Sequence, residues 1–243
     1  MLSKRNLRNV IRWPLTLLAI IWAVSLANLY LFGNNLNFYY ALYTREIAGL
    51  FGIITAPLLH SGWPHLLSNS LPFLSLTGLM VFFYPRLWPR VMTTLWLGTG
   101  ALVWLLGRPG TAHIGASGVV YALAAFLAFS GIFRRDFRAV VVSLVVLFYY
   151  GGMVVGILPG QEGISWESHL LGLVMGALSG WLFRGQLEEH EIATKRKEAE
   201  RRKKAPKEHF LQADQFTKTK DERAQEAFWA RLEKLKEEDK LSR

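Results

Sequence analysis

A handful of polar side chains stand out in an otherwise strongly apolar chain: His60, His65, Asn69, His113, Ser117, Tyr121 and His169. Residues of these types could carry out acyl transfer. A serine hydroxyl becomes a nucleophile when a base accepts its proton, and an imidazole can do so near neutral pH. The same ring then returns the proton to the leaving amine, while nearby donors hold the oxyanion that forms in between. Here Ser117 would supply the hydroxyl, His169 the base, and His65, Asn69 and the Ser117 N–H the donors, if the elements bearing them converge. Ser117 and Tyr121 are four apart, as are His65 and Asn69, so each pair shares one face of a helix.

The local sequence favours close approach. In "GASGVVYAL", Gly115 and Gly118 leave the backbone around Ser117 uncovered, and a helix starting there has unpaired N–H groups beside the hydroxyl. In "SHLLGLVMGALSGW", His169, Gly172 and Gly176 recur at separations of three and four, with Gly180 one turn further on. Such a stripe presses against another small-residue helix, and its predicted partner is the Gly115/Gly118 face, which carries His169 to the neighbourhood of Ser117. In "HSGWPHLLSNSLPFL", Pro64 suits a first helical turn, and Pro72 is expected to distort the helix that follows. Taken singly, each motif also fits ordinary helix packing, a polar helix end or a structural histidine. A metal site built from His60, His65, His113 and His169 lacks an HExxH pair, and His60 and His65 are five apart, off a shared face. No metal or other cofactor is therefore predicted, and His113 receives no role.

The elements that must position these groups are membrane helices. Six apolar runs follow one another, at about Trp13–Phe32, Leu66–Tyr84, Val91–Leu106, Gly115–Phe133, Ala139–Leu158 and Ser168–Phe183. Each approaches the roughly 20 residues that cross a bilayer core as a helix. The predicted fold class is all-α, a polytopic six-helix bundle over residues 1–184. Charge is segregated: residues 1–184 hold 12 Lys and Arg with 4 Asp and Glu, whereas residues 185–243 hold 16 and 14. Basic residues before the first run, between the second and third, and between the fourth and fifth all fall on one side, which places both termini in the cytoplasm. The first run lacks a small-residue cleavage site and is expected to remain as a span. With no cysteine, thiolate and disulfide chemistry is excluded. The net charge of +10 is accounted for by anchoring to anionic membrane lipid, so no nucleic-acid partner is predicted.

Three separated motifs, "HSGWPHLLSN", "GASGVVYAL" and "SHLLGLVMG", occur in the order and on the runs where the sequence resembles the rhomboid family of intramembrane serine proteases, over about residues 13–184. The resemblance implies a dyad of Ser117 and His169, with Tyr121 stacked on the imidazole and an oxyanion site of His65, Asn69 and the Ser117 N–H. It implies a structural role for His60 in the loop before the second run. It also implies transmembrane protein substrates cut near the non-cytoplasmic face, and the brevity of the chain points to a bacterial inner membrane. Many members carry Trp-Arg shortly before the loop histidine, where this chain has Phe51 and Gly52. An inactive, client-binding relative and a small transporter are the alternatives. Retention of both Ser117 and His169 argues against the first, and the lack of paired carboxylates in the runs argues against the second. Residues 185–243 read as a charged cytoplasmic tail, helical in part, in which Ala224, Phe228, Leu232 and Leu235 form an apolar stripe.

Overall fold

The computed structural model describes residues 4–134, 136–160, 165–204 and 218–241. It opens with α1 (Lys4–Leu31) and the short α2 (Asn35–Tyr40). A two-residue strand β1 (Leu42–Tyr43) follows, and then α3 (Gly52–Thr55), flanked by 3-10 turns at Ile47–Phe51 and Ala56–Leu58. Next come α4 (Trp63–Phe83), α5 (Trp88–Leu106), strand β2 (Ala112–His113) and α6 (Ser117–Arg134). Then α7 (Phe137–Tyr150) runs into a 3-10 helix at Gly151–Ile157, and α8 (Trp166–Leu182) closes the bundle. The tail contributes α9 (Glu189–Lys204) and α10 (Lys220–Leu241). Two compact units result, Met1–Ile192 and Ala193–Arg243.

Every predicted apolar run is a helix. Leu7–Leu31, Trp63–Phe83, Ser117–Arg134 and Phe137–Ile157 are long and apolar enough to cross a membrane. In α5 the threonines and tryptophans dilute the hydrophobic run, and α8 has only 17 residues, three of them the glycines of its packing stripe. Helix α4 continues through Pro72 rather than ending there.

The burial pattern shows which helix is central. In the apolar window of α6, 67% of residues are buried, against 17% in that of α7. Small residues let α6 accept neighbours on every side: α4, α5, α7 and α8 all pack on it, and α8 most extensively. The core joins Phe73, Leu76 and Met80 of α4 to Leu123, Phe126 and Leu127 of α6. Leu144, Phe148 and Tyr149 of α7 and Leu71 of α4 point outward, the apolar surface a bilayer requires.

The loop between α1 and α4 is tied down on one side and apolar on the other. Strand β1 pairs antiparallel with β2, Leu42 opposite His113 and Tyr43 opposite Ala112. Phe38, Tyr39, Ile47, Phe51 and Ile54 of that loop are exposed, as expected of a segment lying in the membrane interface. At the opposite end, the Arg134 guanidinium reaches Glu191 and the carbonyls of Phe183 and Gln186. The fully buried Glu188 carboxylate accepts the Arg86 and Leu87 amides. In the second unit, α10 leaves Phe228, Trp229 and Leu235 exposed.

Candidate active site

Ser117 is the first residue of α6, so its N–H and the rest of that first turn have no acceptor within the helix. The turn leading into it is fastened from the loop before α4. Gly115 N–H donates to the Ala56 carbonyl at 2.8 Å, and Ala116 N–H donates to His60 Nε2 at 3.5 Å. Because Nε2 accepts, the His60 proton sits on Nδ1 and is donated to Ser25 Oγ at 2.9 Å. The Ser25 hydroxyl in turn donates to the Leu58 carbonyl at 3.0 Å. This chain needs the neutral ring, and burial, reinforced by His65 nearby, pushes the His60 pKa down to about 3. His60 thereby links α1, the loop and the residue before the serine.

Gly115 does not lie on the α6–α8 contact that its spacing suggested. It precedes the helix and faces α4, with φ at +104°, where a side chain is strained. A Cβ there would also strike the His65 ring, 2.6 Å from Cε1. His65 Nδ1 is 3.3 Å from Ser61 Oγ, and the ring meets His60 edge-on at a centroid separation of 4.9 Å. One turn on, the Asn69 Nδ2 amide gives one of its two N–H groups to the His65 carbonyl at 2.9 Å.

The remaining glycines do what their spacing predicted. A Cβ on Gly172 would collide with the backbone of Gly118, and one on Gly176 with the Ala122 carbonyl and Ala125. Each absent side chain therefore lets α8 lie directly on α6. That approach stacks the Tyr121 and His169 rings, with centroids 4.1 Å apart and planes within 9°. The 3-10 helix after α7 supplies the acceptors: Tyr121 Oη–H donates to the Met153 carbonyl at 2.7 Å, and His169 Nδ1 donates to the Gly156 carbonyl at 2.9 Å. A carbonyl only accepts, so the His169 proton is on Nδ1, and Nε2 is left as the basic nitrogen.

Ser117, His169, Tyr121, His65 and Asn69 line one cavity of about 720 Å³. Among the described residues no hydrogen bond joins Ser117 to His169. Ser117 is half-buried, and His169 is buried. His60 and Gly118 lie behind this cavity as supports, and Gly172 and Gly176 act through helix contact. The cavity thus holds a hydroxyl, an imidazole with its base nitrogen free, and polar donors from a facing helix. Such a set suits acyl transfer.

Composition and spacing missed a second polar group on the same cavity. Arg108, Thr111, His113, Ser165 and Glu167 also line it. His113 and Glu167 are each only 6% exposed. The sequence signal was a helix start: Ser165 caps α8 by accepting the Ser168 N–H, with the acidic Glu167 in the first turn. Burial lowers the His113 pKa, opposed by Glu167 and assisted by Arg108.

Comparison with known proteins bears on this arrangement. The profile of the Rhomboid domain matches residues 48–186. An uncharacterized protein of Mycobacterium bovis is 38% identical over 176 residues, covering 69% of this chain and 72% of that protein, and one of Mycobacterium tuberculosis matches to the same extent. Rhomboid-like protease 5 of Toxoplasma gondii is 29% identical over 148 residues, 56% of this chain and 16% of that protein. The profile spans the whole cavity, from the loop before α4 to the end of α8. With its apolar helices, the chain is an integral membrane protein, and it belongs to the rhomboid family.

Proposed function

We propose that this protein is an intramembrane serine endopeptidase that cleaves single-span membrane proteins through Ser117 and His169. One observation carries the proposal: the His169 ring, stacked on Tyr121 with Nδ1 committed to Gly156 and Nε2 left as the base, lines the same cavity as Ser117. The Gly156 carbonyl fixes the tautomer, the task an acidic third residue performs in triads. His169 Nε2 accepts the Ser117 proton as Oγ attacks the scissile carbonyl, and returns it to the leaving amine as the acyl-enzyme forms. Water then repeats the step, and the hydroxyl is restored. The missing Ser117–His169 hydrogen bond is compatible with this, because such bonds often close only when substrate binds.

The oxyanion donors follow from the same geometry. The Ser117 N–H is unused by its helix, and Asn69 retains one amide N–H. A Ser61 hydroxyl donating to His65 Nδ1 keeps the His65 proton on Nε2, the nitrogen beside Gly115. The six-helix topology with both termini cytoplasmic, in a bacterial plasma membrane, puts this end of the bundle at the non-cytoplasmic face, where a substrate span unwinds into water.

The test uses the purified protein in liposomes with a single-span reporter and mass spectrometry of the products. Wild type is expected to cut, and Ser117→Ala and His169→Ala each to lose at least about 10³-fold in kcat. A fluorophosphonate is expected to label Ser117. Equal cleavage by all three proteins refutes the assignment, and reporter binding without cleavage by wild type assigns client binding instead.

A further inference from the structure

Two stretches of chain lead into the reacting helices: residues 107–116 run up to Ser117, and Ser165 starts α8 just before His169. A polar cluster that the chemistry above does not use joins them, built around the buried His113 and Glu167 with Arg108 at its exposed rim. The Thr111 hydroxyl donates to the Arg108 carbonyl at 2.7 Å, so toward His113 it can only accept, and His113 Nε2–H donates to it at 2.9 Å. His113 Nδ1 therefore carries no proton and takes the Ser165 hydroxyl proton across 2.5 Å. Ser165 Oγ keeps a lone pair for the Ser168 N–H at 3.4 Å. Beside them the Glu167 carboxylate accepts Arg108 Nε–H at 2.5 Å and Arg108 N–H at 3.4 Å, and lies 3.8 Å from His113 Nε2. Thr44 donates to the same Arg108 carbonyl, which extends the network to β1.

We propose that this cluster is the positioning element that sets His169 against Ser117, with His113 as its central residue. The proposal rests on the protease assignment above. No hydrogen bond among the described residues fixes the separation of the two reacting side chains, so the frame around them must. The Gly172–Gly118 contact fixes it across the helix faces. The cluster fixes it at the helix starts, by fastening the approach to the nucleophile onto the cap of the helix that bears the base. The Thr111 and Ser165 hydroxyls and the two His113 ring nitrogens take a single consistent donor–acceptor arrangement, and breaking a link in it leaves the buried His113 short of a partner. Loosening the α8 cap displaces His169 in the next turn, and a displacement of about 1 Å at a reacting group costs on the order of 10²-fold in rate.

Three variants test this in liposomes: His113→Ala, Ser165→Gly and their combination, with His113→Gln as the conservative replacement. Glycine is nearly as good a helix cap as serine, so Ser165→Gly keeps α8 folded while it removes the link to His113 together with the side-chain bond to the Ser168 N–H. Both single variants are expected to lower kcat by roughly 10- to 100-fold, with KM within about twofold. The combination should be no slower than the slower single variant, because the two residues act as one unit. His113→Gln should recover most of the loss. An independent readout is the ring 15N spectrum of the histidine-labelled protein, with His169 assigned by His169→Ala. The Nδ1–H signature of His169 should weaken in both single variants. Wild-type kcat in Ser165→Gly, or an unmoved His169 spectrum, overturns the proposal. If wild type cuts no reporter, the protease assignment falls, and the His169 spectrum alone then decides the positioning.

Discussion

Replacing Gly172 with alanine adds one methyl group where α8 meets α6. That Cβ would lie 3.0 Å from the Gly118 carbonyl carbon, closer still to its oxygen, and 3.3 Å from its Cα. Carbon atoms in contact prefer about 3.5–4.0 Å, so the helices must part by roughly 1 Å. Backbone cannot swing away as a flexible side chain can. Overpacking of this kind costs about 1–3 kcal/mol, and the loss of about 2 kcal/mol lowers the melting midpoint of a chain this size by about 4–8 °C. The Tyr121–His169 stack sits beside this contact, so the same displacement carries the imidazole off Ser117 and should slow cleavage by on the order of 10²-fold. Gly78→Ala is the control: it makes the same change within α4, where a Cβ meets nothing within 4 Å. There the better helix propensity of alanine should raise stability by up to about 1 kcal/mol. Thermal unfolding in detergent, followed by intrinsic tryptophan fluorescence, and reporter cleavage in liposomes measure the two effects. If Gly172→Ala melts with Gly78→Ala and cuts at the wild-type rate, close approach of α8 to α6 does not govern this site.

Other expectations follow from single groups. His60 stays neutral in the fold with its pKa at about 3 against an ordinary 6.5, so the stability it contributes is complete above pH 6.5 and is lost as pH falls toward 3. Between pH 7.5 and 5 this amounts to about 2 kcal/mol, and thermal midpoints of His60→Asn should start lower yet fall less over that interval. Tyr121→Phe keeps the ring on His169 and loses only the bond to the Met153 carbonyl, so kcat should fall less than about fivefold, whereas Tyr121→Ala, which removes the stack, should cost over tenfold. Glu188 is fully buried, and desolvation raises its pKa, so its contribution is largest below the usual carboxylate range and declines as pH rises through the raised value. In chemical denaturation Glu188→Gln should flatten that dependence, and Glu188→Ala should cost about 1–3 kcal/mol by leaving the Arg86 and Leu87 amides without an acceptor.

Hydropathy and period by themselves determined the helices and the faces they present. An apolar run long enough to span has one backbone solution in lipid, because every N–H must be paired within its own segment. The four-residue spacing of Ser117 with Tyr121, of His65 with Asn69, and the glycine stripe of α8 were legible for the same reason: helical geometry turns spacing into direction. Only the tertiary structure decided what each face meets. Gly115 turned out to face His65 rather than α8, and Glu167, which no spacing singled out, is buried against Arg108. The acceptors that orient His169 and Tyr121 are the carbonyls of Gly156 and Met153, and the group that pins Ala116 is His60, distant in sequence. Every residue owns a carbonyl, so composition carries no trace of the ones that are used. Contacts between segments far apart along the chain exist only once the helices have packed, and packing is set by the summed shapes of all of them.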